Sequence, residues 1–179
     1  MRHPWVGIDE SSPVHELAAP VIPEPDRWGE GDKPECDACG QVDGHPREVF
    51  ADDLWRVTVL ADTAFAGTCM LKPKRHVDGV AGLNPAELAT YGPMVARISQ
   101  ALLDRPAGAP GFGDGRVGRV HSHLWNDGGA HLHQWFFPRP LGYLDLLGSV
   151  LVEWEETLPR VTEQDILGAA ADLRSRLTR

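Results

Sequence analysis

Apolar residues recur along the chain in two rhythms, one matching a strand and one matching a helix. Val49-Phe50 and the run Trp55-Arg-Val-Thr-Val-Leu60 read as strands, with Asp52-Asp53 as the turn between them. Residues 68–72 form a third short strand that stops at Pro73. A helix follows: Asn84 caps it, Pro85 takes its first position, and Glu87 sits where a capping box needs its acid. Leu88, Tyr91, Val95, Ile98 and Leu102 recur at helical spacing and mark its buried face. Beyond the Gly/Pro-rich residues 105–118, two further strands are expected over 120–125 and 130–137. Asn126-Asp-Gly-Gly129 joins them as a hairpin signal. An apolar stretch spans 143–154. Thr162-Glu-Gln-Asp165 then opens a terminal helix with Ile166, Ala169 or Ala170, Leu173 and Leu177 inward. The sum is an α+β fold, an antiparallel sheet with helices to one side.

The first 35 residues follow neither rhythm. They hold six prolines among acidic and small residues, so residues 1–35 are expected to form an extended or partly disordered arm. Trp5, Val21, Ile22 and Trp28 are its only features suited to draping over a partner subunit. The main domain is expected over 36–140, and residues 141–179 form an extension packed on it or lengthening it.

Composition narrows the function classes. Lys+Arg number 17 against 26 Asp+Glu, a net charge of −9, which argues against a nucleic-acid coat or an anionic membrane surface. No stretch approaches the roughly 20 apolar residues of a membrane span, and the first residues lack the apolar core of a signal peptide. Three cysteines, two of them spaced C-x-x-C, fit a reducing compartment. A cytoplasmic location is therefore expected. Of eight histidines, four fall between His121 and His133.

Cys36-Asp-Ala-Cys39-Gly40 has the spacing of a zinc knuckle, in which two thiolates share one metal and two more ligands come from elsewhere. A redox pair is the competing reading, although the residues after Gly40 form no helix start. Alternation would place His131, His133 and Trp135 on one strand face, and His121 and His123 form a second pair on the neighbouring strand. Two such pairs could hold iron or copper by themselves, but no carboxylate ligand accompanies them. Cys69, in an apolar strand, reads as a small buried hydrophobe.

Taken together, Met70-Leu-Lys-Pro-Lys-Arg-His76, the capped helix after it, and His131-Leu-His133 leading to Pro138-Arg139 resemble the histidine-triad (HIT) superfamily. The resemblance covers about residues 36–140 and implies a HIT-like antiparallel sheet with a main helix packed on it. In zinc-bearing HIT hydrolases and the related galactose-1-phosphate uridylyltransferases, four corresponding places hold zinc. Carried over, these are Cys36, Cys39, His76 and His131, for one structural ion per chain. The implied nucleophile is His133, attacking the α-phosphorus of a nucleotide derivative to give a covalent phosphoramidate. The implied activity is nucleotide hydrolysis or nucleotidyl transfer, with a small-molecule nucleotide as partner and a homodimer as the assembly.

The chain also departs from that pattern. Trp135 stands where the third histidine belongs, and Asp62 lies about two positions from the expected ribose-binding aspartate. The substrate contacts expected around His133 are Gln134, Trp135, Asn126 and His123, although alternation turns Gln134 to the strand's other face. Lys72, Lys74, Arg75 and Arg139 are the basic residues placed to attract an anion. The loss of the third histidine motivates an alternative: a zinc-stabilised nucleotide-binding or interaction module with weakened catalysis.

Overall fold

Five strands close into one antiparallel sheet: β1 (Glu48–Ala51), β2 (Trp55–Val59), β3 (Cys69–Pro73), β4 (Val117–His123) and β5 (Gln134–Pro140). Their spatial order is β1-β2-β3-β5-β4. A one-turn helix, α1 (Asp37–Gly40), precedes them, α2 (Pro85–Leu103) links β3 to β4, and α3 (Val150–Thr157) and α4 (Glu163–Leu177) follow. The computed structural model describes residues 22–30, 36–109, 116–146, 148 and 150–178. The expected arm is described only over 22–30; its remaining residues, Trp5 and Val21 among them, lie outside the described residues. No helix among the described residues is long and apolar enough to cross a membrane.

All five residues of β2 are buried because both faces of the sheet are covered. On one face, Trp55, Val57, Leu71 and Phe136 meet Ile98 and Leu102 of α2 and Ile166, Leu173 and Leu177 of α4 in a single core. Fully burying each such side chain stabilises the fold by about 1.5–3 kcal/mol. α2 starts as its sequence dictates: Asn84 accepts from the Glu87 backbone, and the Glu87 carboxylate answers to the Asn84 backbone. α4 is capped by Thr162, which accepts from the Asp165 amide. Trp55 adds a lateral tie, its indole N–H donating to Thr90 at 2.8 Å.

The buried stripe of α2 departs from the expected one. Leu88 is 51% exposed, while Glu87, Met94 and Ala101 are buried. The helix is rotated to bring Glu87 under Arg75, and Leu88 turns outward with that rotation.

The opposite face carries Arg56, Thr58, Met70, Lys72, Trp135 and Phe137, the partners of these strands in register. A smaller core of Phe65, Phe137, Leu146 and Leu151, with Trp135 packed against it, covers one end of this face and seats α3. The extension after residue 140 thus reaches both faces, α3 on one and α4 on the other. Buried Glu155 pins α3 by accepting from the Ala64 amide at 2.9 Å.

The last two strands are displaced from their expected places. β4 and β5 pair with His123 opposite Trp135, leaving residues 124–133 as a long connection in place of a tight hairpin. Its amides find other partners: Ala130 donates to the Trp28 carbonyl and Leu132 to the Val77 carbonyl, at 2.8 and 2.7 Å. His131 and His133 therefore precede the strand and do not lie on it. Trp28 also donates to Gly128, forming a parallel bridge that seats residues 22–30 on this connection. Arg27 secures the contact through Glu30, Asp78 and the Asn126 carbonyl.

Candidate functional site

Where β3 ends, its last residues and the turn after it begin the site. Arg75 donates to Glu87 at 3.0 and 2.7 Å and to the Gly82 carbonyl at 2.8 Å. This guanidinium holds the Glu87 carboxyl below the usual carboxylate range, against the opposing effect of burial. The clamp fixes the turn that carries His76. Facing it, Cys36 caps α1, and its carbonyl accepts from the amides of Cys39 and Gly40 at 3.0 and 3.1 Å. The two sulfurs are thereby held on one side of a single turn.

The connection before β5 supplies the fourth residue. His131 is buried, and its Nε2–H donates to the Pro73 carbonyl at 2.8 Å. That bond leaves Nδ1 with its lone pair, 3.2 Å from Cys36 Sγ and 3.5 Å from Cys39 Sγ. His76 Nδ1 lies 3.4 Å from Cys39 Sγ, and the four donor atoms all fall within 4.8 Å of one another. A tetrahedron built on Zn–S of about 2.3 Å and Zn–N of about 2.0–2.1 Å has edges in this range. Burial lowers the His131 pKa and keeps the ring neutral, as a ligand must be. Burial, with the neighbouring Cys36, pushes the Cys39 thiol up to about 11, so a cation is needed to hold it as a thiolate. Two sulfurs and two imidazoles so arranged suit zinc.

Gly29 closes against this cluster. Its φ is +88°, and a Cβ there would lie 3.2 Å from His76 Cε1. Only glycine serves at this approach.

His133 sits two residues beyond His131, on the other side of buried Leu132. Its Nδ1–H donates to the His131 carbonyl at 2.6 Å, so its Nε2 is the ring nitrogen with a lone pair. The imidazole borders a cleft of about 210 Å³ together with Lys72, Met70, Trp28, Gly128 and Gly129. Lys72 is 6% exposed and donates to Gln41 Oε1 at 3.3 Å. Burial, and Arg56 beside it, lower its pKa to about 8.

The expected substrate contacts are not gathered in this cleft. Trp135 shares the His133 face with ring centroids 6.1 Å apart, but it stacks on Phe137 at 5.6 Å. His123 lies opposite Trp135, diagonal to His133, and stacks on Trp125 at 4.8 Å. Gln134 faces the helices: Tyr91 donates to its carbonyl oxygen, and its amide donates to Ser122. Asn126 adopts φ 60° and donates to the Asp78 carbonyl at 2.8 Å, a turn-building role. Asp62 pairs with Arg160 at 2.9 Å. Among the basic candidates, Lys74 pairs with Asp43, Arg75 with Glu87, and Arg139 donates to the Tyr143 carbonyl.

The two His-x-His pairs do not converge either. Among the described residues, the cluster able to hold a metal is Cys36, Cys39, His76 and His131, which leaves the iron or copper reading without a site. The sequence marks Lys72 as one of four basic candidates and Trp28 as an apolar residue of the arm, but not that both line one cleft with His133. The signal for Lys72 is its phase with Met70 on β3; for Trp28, its place among the arm's prolines gives none toward the cleft.

In sequence, no family model and no curated protein matches this chain. In structure, it is similar to a zinc-bound histidine triad family protein from Mycobacterium smegmatis. That match has 18% identity and a TM-score of 0.52, covering 79% of this chain and 89% of the other. A hypothetical histidine triad nucleotide-binding protein from Sulfolobus tokodaii matches at 18% identity and a TM-score of 0.50, over 80% of this chain and 92% of its own. A uridylyltransferase matches at 20% identity and a TM-score of 0.52, over 80% of this chain but 45% of its own length. These likenesses establish the fold.

Proposed function

With the histidine-triad fold as the premise, we propose that the chain hydrolyses or transfers a nucleotidyl group through His133. One observation carries the reading: the Nδ1–H bond to the His131 carbonyl leaves Nε2 with the lone pair, on an imidazole that lines a cleft. In the first step Nε2 forms a bond to the α-phosphorus while the P–O bond to the leaving group (P–N in a phosphoramidate) breaks, its electron pair going to that oxygen or nitrogen. The ring then carries positive charge, which the short bond from Nδ1–H to a carbonyl stabilises. In the second step the oxygen of water or of another acceptor replaces nitrogen at phosphorus, and its proton passes to solvent.

We further propose that Cys36, Cys39, His76 and His131 hold one zinc ion. With four protein ligands it would be structural, locking α1 to the two connections that carry the histidines. His131 would link the metal to the chemistry, since its ring serves the metal site and its carbonyl orients His133.

The test is a substrate panel of dinucleoside polyphosphates, nucleoside phosphoramidates and sugar nucleotides. Turnover of at least one member is expected, and His133→Ala should lower it on the order of 10³-fold or more. Absence of turnover across the panel, or turnover indifferent to that substitution, overturns the proposal. The second reading, a binding module, is favoured by Trp135, whose ring is committed to packing on Phe137 and offers no proton donor at the third triad position. Calorimetric nucleotide binding without product formation would select it.

A further inference from the structure

Lys72 is an unusual residue for its position. It lies in the middle of the sheet, opposite Arg56 across the β2–β3 pair, so two cations are neighbours in a buried place. Arg56 is neutralised: it bonds Glu48 at 2.7 Å and also pairs with Asp43. Around the site, Arg27, Lys74 and Arg75 are likewise matched with carboxylates. Lys72 is not. Its hydrogen bond goes to the neutral amide of Gln41, and no carboxylate comes within ion-pair distance of it among the described residues. Cys36 and Asp37 also line the cleft and attract Lys72 from longer range, but neither is hydrogen-bonded or ion-paired to its ammonium. A buried ammonium with no anion in direct contact is costly, and an anion entering the cleft would supply that contact.

The cleft places that anion beside the histidine. Lys72 and His133 both line it, together with Met70 of β3, Gly128 and Gly129. By strand alternation Lys72 shares the face of Met70, which pairs with Trp135, and both Lys72 and Met70 line the cleft that His133 lines. We propose that Lys72 is the anion-binding residue of this cleft, donating to a non-bridging oxygen of the phosphoryl group held at His133. The inference deepens the phosphoryl-transfer reading and rests on it for the identity of the ligand. The ammonium occupies the role left open by Trp135, that of a charged donor to phosphate. The depressed basicity of Lys72 agrees with this setting, because burial weakens its hold on the proton when no anion is present.

The experiment measures binding of inorganic phosphate, the four ribonucleoside monophosphates and the matching uncharged nucleosides to the full chain. Parent, Lys72→Met, Lys72→Arg and Lys74→Met are compared by calorimetry, with phosphorus NMR as a second readout. The parent and Lys74→Met are expected to bind phosphate and at least one monophosphate alike. Lys72→Met should weaken both at least tenfold while leaving any nucleoside binding unchanged, and Lys72→Arg should recover part of the loss. Phosphate binding that is equal in parent and Lys72→Met, or absent from the parent, overturns the proposal. The two ideas fail separately. Turnover through His133 that survives Lys72→Met undiminished removes only the role of Lys72. Lys72-dependent phosphate binding without turnover of any panel substrate removes only the catalytic reading.

Discussion

Lys72 costs the fold stability, and that makes its contribution measurable apart from activity. Its pKa is lowered to about 8 in the folded chain, from an ordinary value near 10.5, chiefly by burial. Below about 8 both folded and unfolded chains carry the charge, so the whole penalty is present at pH 7. As pH rises from about 8 towards 10.5, the folded chain gives up the proton first and the penalty fades. Lys72→Met should therefore raise stability at pH 7 by about 1–3 kcal/mol. The advantage over the parent should shrink towards zero by pH 10. Urea midpoints of the two proteins at pH 7 and pH 10 check this, and a variant less stable than the parent at pH 7 would refute the cost. His131 is the second residue with a double duty. Its Nε2–H bond to Pro73 frees Nδ1 for the sulfurs, and its carbonyl sets the tautomer of His133. A change in its ring orientation would disturb both places.

The cysteine–histidine cluster joins elements that have few other reasons to meet. α1 brings the sulfurs, the Arg75–Glu87 clamp at the start of α2 brings His76, and the lead-in to β5 brings His131. If zinc ties these together, its binding energy is part of the folding energy. Cys36→Ser should lose the metal, and each kcal/mol lost should lower the melting temperature by about 2–4 °C. The control Cys69→Ala removes a fully buried thiol that lies outside the cluster, so it should keep the metal. Metal analysis and thermal melts of zinc-loaded protein decide the matter; a Cys36→Ser protein that holds one zinc and melts like the parent contradicts the assignment. The same elements show what the sequence could reveal. The C-x-x-C half-site was legible because two thiolates on one metal need that short spacing, whereas His76 and His131 were reached only through the resemblance to the histidine-triad superfamily. The cap of α2 was legible because Asn84, Pro85 and Glu87 act locally. The exposure of Leu88 was not, since the rotation of α2 follows from burying Glu87 beneath Arg75. Nor was the start of β5: the amides of residues 130 and 132 bond to Trp28 and Val77, partners distant in sequence.

At the scale of the molecule, the sheet separates stability from chemistry. The helices α2 and α4 build the main core on one face, while the cleft, the cysteines and His133 occupy the other. In a chain of net charge −9, the cleft keeps a lysine that no carboxylate among the described residues pairs with directly. The extension after residue 140 contributes to both sides, and through Trp135 the small core under α3 reaches the edge of the site. A ligand set, an oriented imidazole and an anion-binding lysine are thus brought onto one face by a fold whose stability is built mainly on the other. The central claim is that His133 carries the nucleotidyl group. The most direct test mixes the protein with a substrate that it turns over, quenches within milliseconds and weighs the intact chain. The account predicts a transient gain of one nucleoside monophosphate, labile to acid, mapped to His133 and missing from His133→Ala. Turnover with no such adduct, or an adduct that persists in His133→Ala, would contradict it.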